Sequence, residues 1–397
     1  MADLISTQAA WECIVADFPK ATSETVALGS SAGRTLAEPV RADRDFPPFT
    51  RVMMDGYALR RADLDGERRV EVAGFQRAGE PALALGGVGT CVEVSTGAMC
   101  PAGAEVVVPY EQTQRAGTTV RIDAAFTPPP NHFLHTQGLD AKQGDVLLPA
   151  GTRLSARQIA VAAACGSFEL TVSGLPRLAL YSTGDELVAV EATPAPHQLR
   201  QSNFWALTTA LSLAGFPAHT QGHLPDDAAI LRASLAAALE AHEVLVFTGS
   251  ASKGKADHLP NVLTDLGAQK RFHGVAQRPG KPFGFYNGPA GQAIFLLPGN
   301  PLSALVGLHR WVVPACRQGA GGAPSEGITA RLAEAFAFAQ PMTCFLPVRR
   351  VGEGVAPLPA NNSGDFTTVL HADGFVELPA QLKEFPAGGS YPFYPWY

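Results

Sequence analysis

The residues best able to do chemistry in this chain fall in a few short segments. Ser182-Thr183-Gly184-Asp185-Glu186-Leu187 joins hydroxyls and a glycine, which bring backbone N–H groups close to a phosphate, to two acids that can hold magnesium or accept a proton. The same residues also read as an N-cap box opening a helix, with Thr183 or Asp185 as cap. Thr248-Gly249-Ser250-Ala251-Ser252-Lys253-Gly254-Lys255-Ala256-Asp257 is well made to cradle an anion, although it lacks the GK[ST] ending of a Walker A loop. Its plainer reading is a solvated loop capped by Asp257. Arg278-Pro279-Gly280-Lys281-Pro282 holds two cations on a proline-stiffened turn. Leu297-Pro298-Gly299-Asn300-Pro301-Leu302-Ser303 makes a turn that opens a helix and offers N–H donors; both segments also read as turn chemistry alone. Met53-Met54-Asp55-Gly56-Tyr57-Ala58 sets an acid beside a glycine and, taken alone, reads as a strand-turn.

These segments need elements to hold them. Leu178-Ala179-Leu180-Tyr181, Val244-Leu245-Val246-Phe247 and Ile294-Phe295-Leu296-Leu297 read as apolar strands, each running into one of the segments. Helical periods cover 203–214, stopped by Gly215, then 226–240, 259–266 and 302–313. Strands alternating with helices predict a parallel, doubly wound α/β sheet over 176–320, with ligands beyond the carboxyl ends of its strands. The flanks differ. Residues 1–45 open with a helix whose Trp11, Ile14, Val15 and Phe18 share a face, and 138–175 return to helix, ending at Gly166. Residues 46–137 are strand-and-turn, and 321–397 are short strands again, a small β-domain.

The bulk numbers set limits. At 397 residues the chain holds more than one core, and 40 glycines with 32 prolines favour turns and strands over a bundle. A formal charge of −6 with no basic block argues against nucleic acid. No apolar run is long enough for a membrane span, and the N-terminus lacks a signal pattern. Six cysteines without a CxxC pair read as buried thiols in a reducing cytoplasm, not as a zinc site.

Taken together, the segments resemble the MoeA family, which includes the E domain of gephyrin. The resemblance spans essentially the whole chain. Its markers are Met54-Asp55-Gly56-Tyr57-Ala58, Ser95-Thr96-Gly97-Ala98 with Pro101-x-Gly103-Ala104, Ser182 to Leu187, Ser202-Asn203, Thr248-Gly249 through Asp257, Arg278 to Pro282, and Leu297 to Ser303. The resemblance implies an elongated homodimer of four-domain subunits: domain I from 1–45 and 138–175, a mostly β domain II over 46–137, a MogA-like domain III over 176–320, and a β-domain IV over 321–397. It implies insertion of molybdate into adenylylated molybdopterin with release of AMP, and magnesium as cofactor. Glu186, Asp257, Asp55 and Lys281 then stand as catalytic, and Glu186, Asp257 and Asp226 as metal ligands. Asp226 also reads as the plain N-cap of the following helix. Ser182, Thr183, Gly184, Asp185, Ser202, Asn203, Thr248, Gly249, Ser250, Ser252, Gly254, Arg278, Pro279, Gly280, Pro298, Gly299, Asn300, Pro301, Ser303 and Ser363 stand as binding residues. Asp55 is expected to serve the α/β domain of the partner subunit. A MogA-type adenylyltransferase and client molybdoenzymes are the implied partners.

The chain also departs from the family pattern. Ser250 and Lys255 replace a glycine and an acid in the signature loop, an arginine-rich stretch is missing near Gln137, and Pro347 lies near the place of an arginine. These changes keep two alternatives open: a non-catalytic molybdopterin carrier or scaffold, and a molybdopterin adenylyltransferase.

Overall fold

The computed structural model describes residues 4–249, 258–322, 327–362 and 364–396. They form two compact units, 1–38 with 151–155 and 170–397, and 39–150 with 156–169.

An α/β layer dominates the first unit. Its elements in chain order are β1 (Leu178–Thr183), α1 (Ser202–Ala214), β2 (Thr220–Leu224), α2 (Ala228–Ala241), β3 (Val244–Thr248), α3 (Leu259–Asp265), β4 (Gln269–His273), β5 (Gly284–Asn287) and β6 (Ala293–Leu297). The sheet order is β2-β1-β3-β6-β5-β4. β2, β1, β3 and β6 are parallel, and β5 runs antiparallel to both its neighbours. Successive strand side chains point to opposite faces. Leu178, Leu180, Val244, Val246 and Phe295 meet α1 and the helical run after β6, while Ala179, Tyr181, Leu245, Phe247 and Ile294 meet α2 and α3. A strand buried on both faces must be a continuous apolar run, which is why these strands stand out in the sequence. Each valine, leucine, isoleucine or phenylalanine among them contributes about 1.5–3 kcal/mol on full burial.

Local signals fix the helix ends. Gly215, at φ +90°, closes α1 in the left-handed region. Asp227 caps α2, accepting from the Ala229 and Ile230 N–H groups at 2.9 Å. After β6 the chain is helical from Pro301 to Gly319, longer than the periodicity predicts. A π-turn at Leu308–Val312 stands just before Pro314, whose missing N–H a regular helix could not use.

The C-terminal sheet belongs to the same unit. Thr343–Val351 is flanked by Gly374–Leu378 on one side and by the two-residue strand Gln277–Arg278 on the other. Arg310, on the helical run, ties the layers together by donating to Glu377 at 2.7 Å; the Tyr394 hydroxyl donates to the same carboxylate at 2.8 Å. The second unit centres on a six-stranded sheet. Within it, Gly56–Leu59 lies between Val106–Pro109 and Thr90–Val94. A Cβ on Gly56 would sit 2.1 Å from the Val108 carbonyl oxygen, so only glycine fits this close pairing.

Of the six cysteines, four are buried and two partly so, and all are free. No helix of the described residues is long and apolar enough to cross a membrane.

Candidate functional site

The carboxyl ends of β1, β3 and β6 bring three of the sequence segments together. From β1 the chain steps outward to β2 and then crosses back to β3, with α1 and α2 on opposite faces, so the strand order reverses between β1 and β3. This is the point where open α/β sheets hold ligands. Asn203, at the start of α1, donates to the Gly299 carbonyl at 2.7 Å and to Thr248 Oγ1 at 3.3 Å. Thr248 Oγ1 in turn donates to the Pro298 carbonyl at 3.3 Å, and Gly249 N–H to the Leu297 carbonyl at 3.2 Å. A Cβ on Gly249 would lie 2.2 Å from the Thr183 carbonyl oxygen, and one on Gly299 would lie 3.4 Å from Gly249 Cα. Gly249 is therefore the glycine that lets backbone meet backbone here, while at Gly299 a Cβ would make ordinary contact.

Ser182 and Thr183 are buried in β1 itself, with Ser182 Oγ 3.2 Å from His223 Nδ1 on β2. Beyond them the chain does not open a helix: Gly184, at φ +130°, leads into a turn, and the next helix is α1. The capping alternative for Thr183 and Asp185 is therefore excluded. Asp226 is likewise not the cap of α2, since Asp227 takes that role. Asp226 N–H instead donates to Asp185 Oδ1 at 3.0 Å. Burial, then the charges of Asp185 and Glu186, push the Asp226 carboxyl above its usual range, with His258 opposing. The charges of Asp185 and Glu186 beside the Asp226 carboxyl are the kind of repulsion that a hard cation relieves. Among the described residues no group of three or more His, Cys, Asp or Glu is disposed to hold a metal. Asp257, the third expected ligand, lies outside the described residues, as do Ser250, Ser252, Gly254, Lys253, Lys255 and Ser363.

The Arg278–Pro282 turn and the Pro298–Ser303 turn open onto a cavity of about 670 Å³ between the α/β layer and the C-terminal sheet. Among the described residues, Arg278 and Lys281 are the only charged ones lining it, and neither has a carboxylate partner. Asn300, Ser303, Gln340 and Asn362 add polar groups, while Phe336, Phe338, Met342 and Leu346 form an apolar wall. Pro347 also lines the cavity and Arg349 and Arg350 do not, so among the described residues the C-terminal wall brings no cation of its own. Two cations without a carboxylate partner among the described residues give this lining a positive potential, which favours an anion.

Asp55 belongs to the second unit. Its Oδ1 accepts from Thr96 N–H at 2.6 Å and from Thr96 Oγ1 at 3.0 Å, which joins the Asp55-Gly56 and Ser95-Thr96-Gly97 markers in one exposed corner. A family model for the MoeA N-terminal region (domain I and II) matches residues 5–166. Models for a probable molybdopterin binding domain and for the MoeA C-terminal region (domain IV) match 179–318 and 329–396. The chain is 38% identical over 400 residues to the molybdopterin molybdenumtransferase of a Synechocystis species, covering 99% of this chain and 100% of that one.

The chain belongs to the MoeA family. A Staphylococcus epidermidis molybdopterin molybdenumtransferase is 31% identical over 97% of this chain and 94% of its own. The crystal structure of a molybdopterin biosynthesis MoeA protein from Pyrococcus horikoshii superposes with a TM-score of 0.79 at 30% identity, covering 99% of each chain. A second structure from that organism, 24% identical with a TM-score of 0.85 over 99% and 100% of the two chains, shares the fold.

Sequence reasoning missed several site residues of this MoeA chain. The apolar wall at Phe336, Phe338 and Met342 has no motif, and only the expectation of short strands over 321–397 pointed towards it. Gln277 stands one position before the recognised turn and lines the cavity unannounced.

Proposed function

We propose that this chain is a molybdopterin molybdenumtransferase, taking adenylylated molybdopterin and molybdate, releasing AMP and leaving molybdenum on the dithiolene. The observation that carries this reading is the pairing, at one end of one sheet, of a cavity whose described lining holds Arg278 and Lys281 and no acid with the acidic residues Asp185, Glu186 and Asp226. Molybdate and the substrate phosphates are anions, so Lys281 and Arg278 bind and orient them in a site whose apolar wall limits water. Ser303 and Asn300 offer further hydrogen bonds from the same lining. Glu186, Asp226 and Asp257 would hold a magnesium ion, which would supply charge stabilisation at the phosphoanhydride. The carboxylates of Glu186 and Asp226 suit that ion, because hard cations take oxygen ligands and neither acid forms an ion pair with a lysine or arginine among the described residues.

The four-domain division, a cytoplasmic location and a homodimer belong to the same reading. In that dimer Asp55 of one subunit serves the α/β domain of the other. A MogA-type adenylyltransferase supplies the substrate, and client molybdoenzymes receive the product.

AMP release from adenylylated molybdopterin, with and without molybdate and magnesium, tests the proposal. Molybdate-dependent release is expected, lost in Glu186→Ala with little change in thermal melt because Glu186 is exposed. Tight binding without any release would replace the enzyme by a carrier.

A further inference from the structure

The Arg278–Lys281 turn is built around one buried side chain. Gln277 is 0% exposed, and its Nε2 donates to the Gly280 carbonyl at 3.0 Å. That carbonyl also accepts from Phe283 N–H at 3.1 Å, and the Lys281 carbonyl accepts from Val275 N–H at 2.9 Å. The peptide groups on both sides of Lys281 are thus held. Gly280 takes φ +88°, and a Cβ there would lie 2.7 Å from Gln277 Nε2, so the glycine and the amide fit one another. The amide's orientation is settled by its partner: a carbonyl oxygen only accepts, so the nitrogen faces it.

This orientation leaves Gln277 Oε1 buried with no hydrogen-bond partner among the described residues. A buried acceptor without a donor disfavours the folded state. Methionine would fill the same length without that penalty, and the Gly280 carbonyl would keep its bond from Phe283. Packing therefore does not account for an amide here. Its grip on the turn does. Arg278 is already fixed at its own end by pairing beside Cys344 on the C-terminal sheet, so the amide governs the other end, where Lys281 leaves the turn.

We propose that Gln277 is the positioning residue that aims Lys281, together with Arg278, into the cavity. The inference rests on reading that cavity as an anion site. The full chain and its Gln277→Met variant would be compared by calorimetric titration with molybdate and with inorganic sulfate, by thermal melting, and by KM and kcat for AMP release. Gln277→Met is expected to bind both anions on the order of tenfold more weakly, with KM for molybdate rising alike and kcat held. Its melting temperature is expected to stay level or rise. A variant that melts lower, fails to fold, or binds both anions as the wild type does would overturn the proposal. Gln277→Glu gives an independent reading, since only the protonated carboxyl can donate to Gly280: its sulfate affinity is expected to climb as pH falls, and a flat profile counts against the role. A wild type that binds sulfate but releases no AMP removes the proposed activity while Gln277 is still judged by anion affinity. One that binds neither anion removes both.

Discussion

Asp226 and Asp227 are sequence neighbours with separate work. Asp227 spends its carboxylate on the first N–H groups of α2, whereas Asp226 faces Asp185 and Glu186. The Asp226 carboxyl is raised by burial first and by those two charges next. A folded-state value above the unfolded one gives stability that is complete below the ordinary carboxylate range and is lost as pH rises through the raised value. At neutral pH without metal, the ionised Asp226 therefore works against folding, and a bound divalent cation reverses the sign. Asp226→Asn is expected to raise the melting temperature at neutral pH in chelator, to change it little in acid, and to abolish the extra stability that magnesium gives the wild type. Differential scanning calorimetry checks all three; a variant that melts lower in chelator would mean that the carboxylate is held by attraction after all. The sequence showed that acids gather here, because Asp-Glu and Asp-Asp pairs are visible in a line of text. It could not show which acid caps a helix, since that depends on where the first turn of α2 begins.

The elements that carry the site were legible where burial is two-sided. β1, β3 and β6 are apolar runs because α-helices cover both their faces, and their ends located the binding segments. β4 and β5 were not legible: Gln269–His273 and Gly284–Asn287 are short and carry polar residues at the sheet's far edge, with Phe272, Phe285 and Tyr286 the only side chains larger than glycine that are buried. Their absence from the sequence reading left the Arg278–Lys281 turn unattached, whereas Gln277–Arg278, from which it springs, is an edge strand of the C-terminal sheet. The strand ends themselves depend on close backbone approach. Gly249 takes φ +112° and would place a Cβ 2.2 Å from the Thr183 carbonyl oxygen, whereas one on Gly299 would find ordinary contact at 3.4 Å. Gly249→Ala is expected to lose about 2 kcal/mol or more in urea unfolding, because a left-handed residue and a backbone clash coincide. Gly299→Ala is expected to stay within about 1 kcal/mol of the wild type. Equal losses would show that β1 and β3 are not held at the distance the glycines imply.

At the scale of the whole molecule, the chain divides its acids. Glu186 lies in the unit that contains the α/β sheet, and Asp55, tied to Thr96, lies in the other. Neither motif explains the other from sequence, because no periodicity links residues so far apart; the family resemblance alone suggested that they serve one reaction. If each active site of a two-fold dimer draws Asp55 from one subunit and Glu186 from the other, two inactive variants should repair each other. Asp55→Ala and Glu186→Ala alone are expected to release no AMP. Mixed in equal amounts and allowed to exchange subunits, half the dimers become mixed, and each mixed dimer holds one site with both changes and one with neither. The mixture should then recover about a quarter of wild-type activity. An Asp55 that acts within its own subunit gives no recovery, because every site keeps one lesion. Recovery would also fail without subunit exchange, so a tagged-copy pull-down on the same mixture separates a cis arrangement from a dimer that never reshuffled.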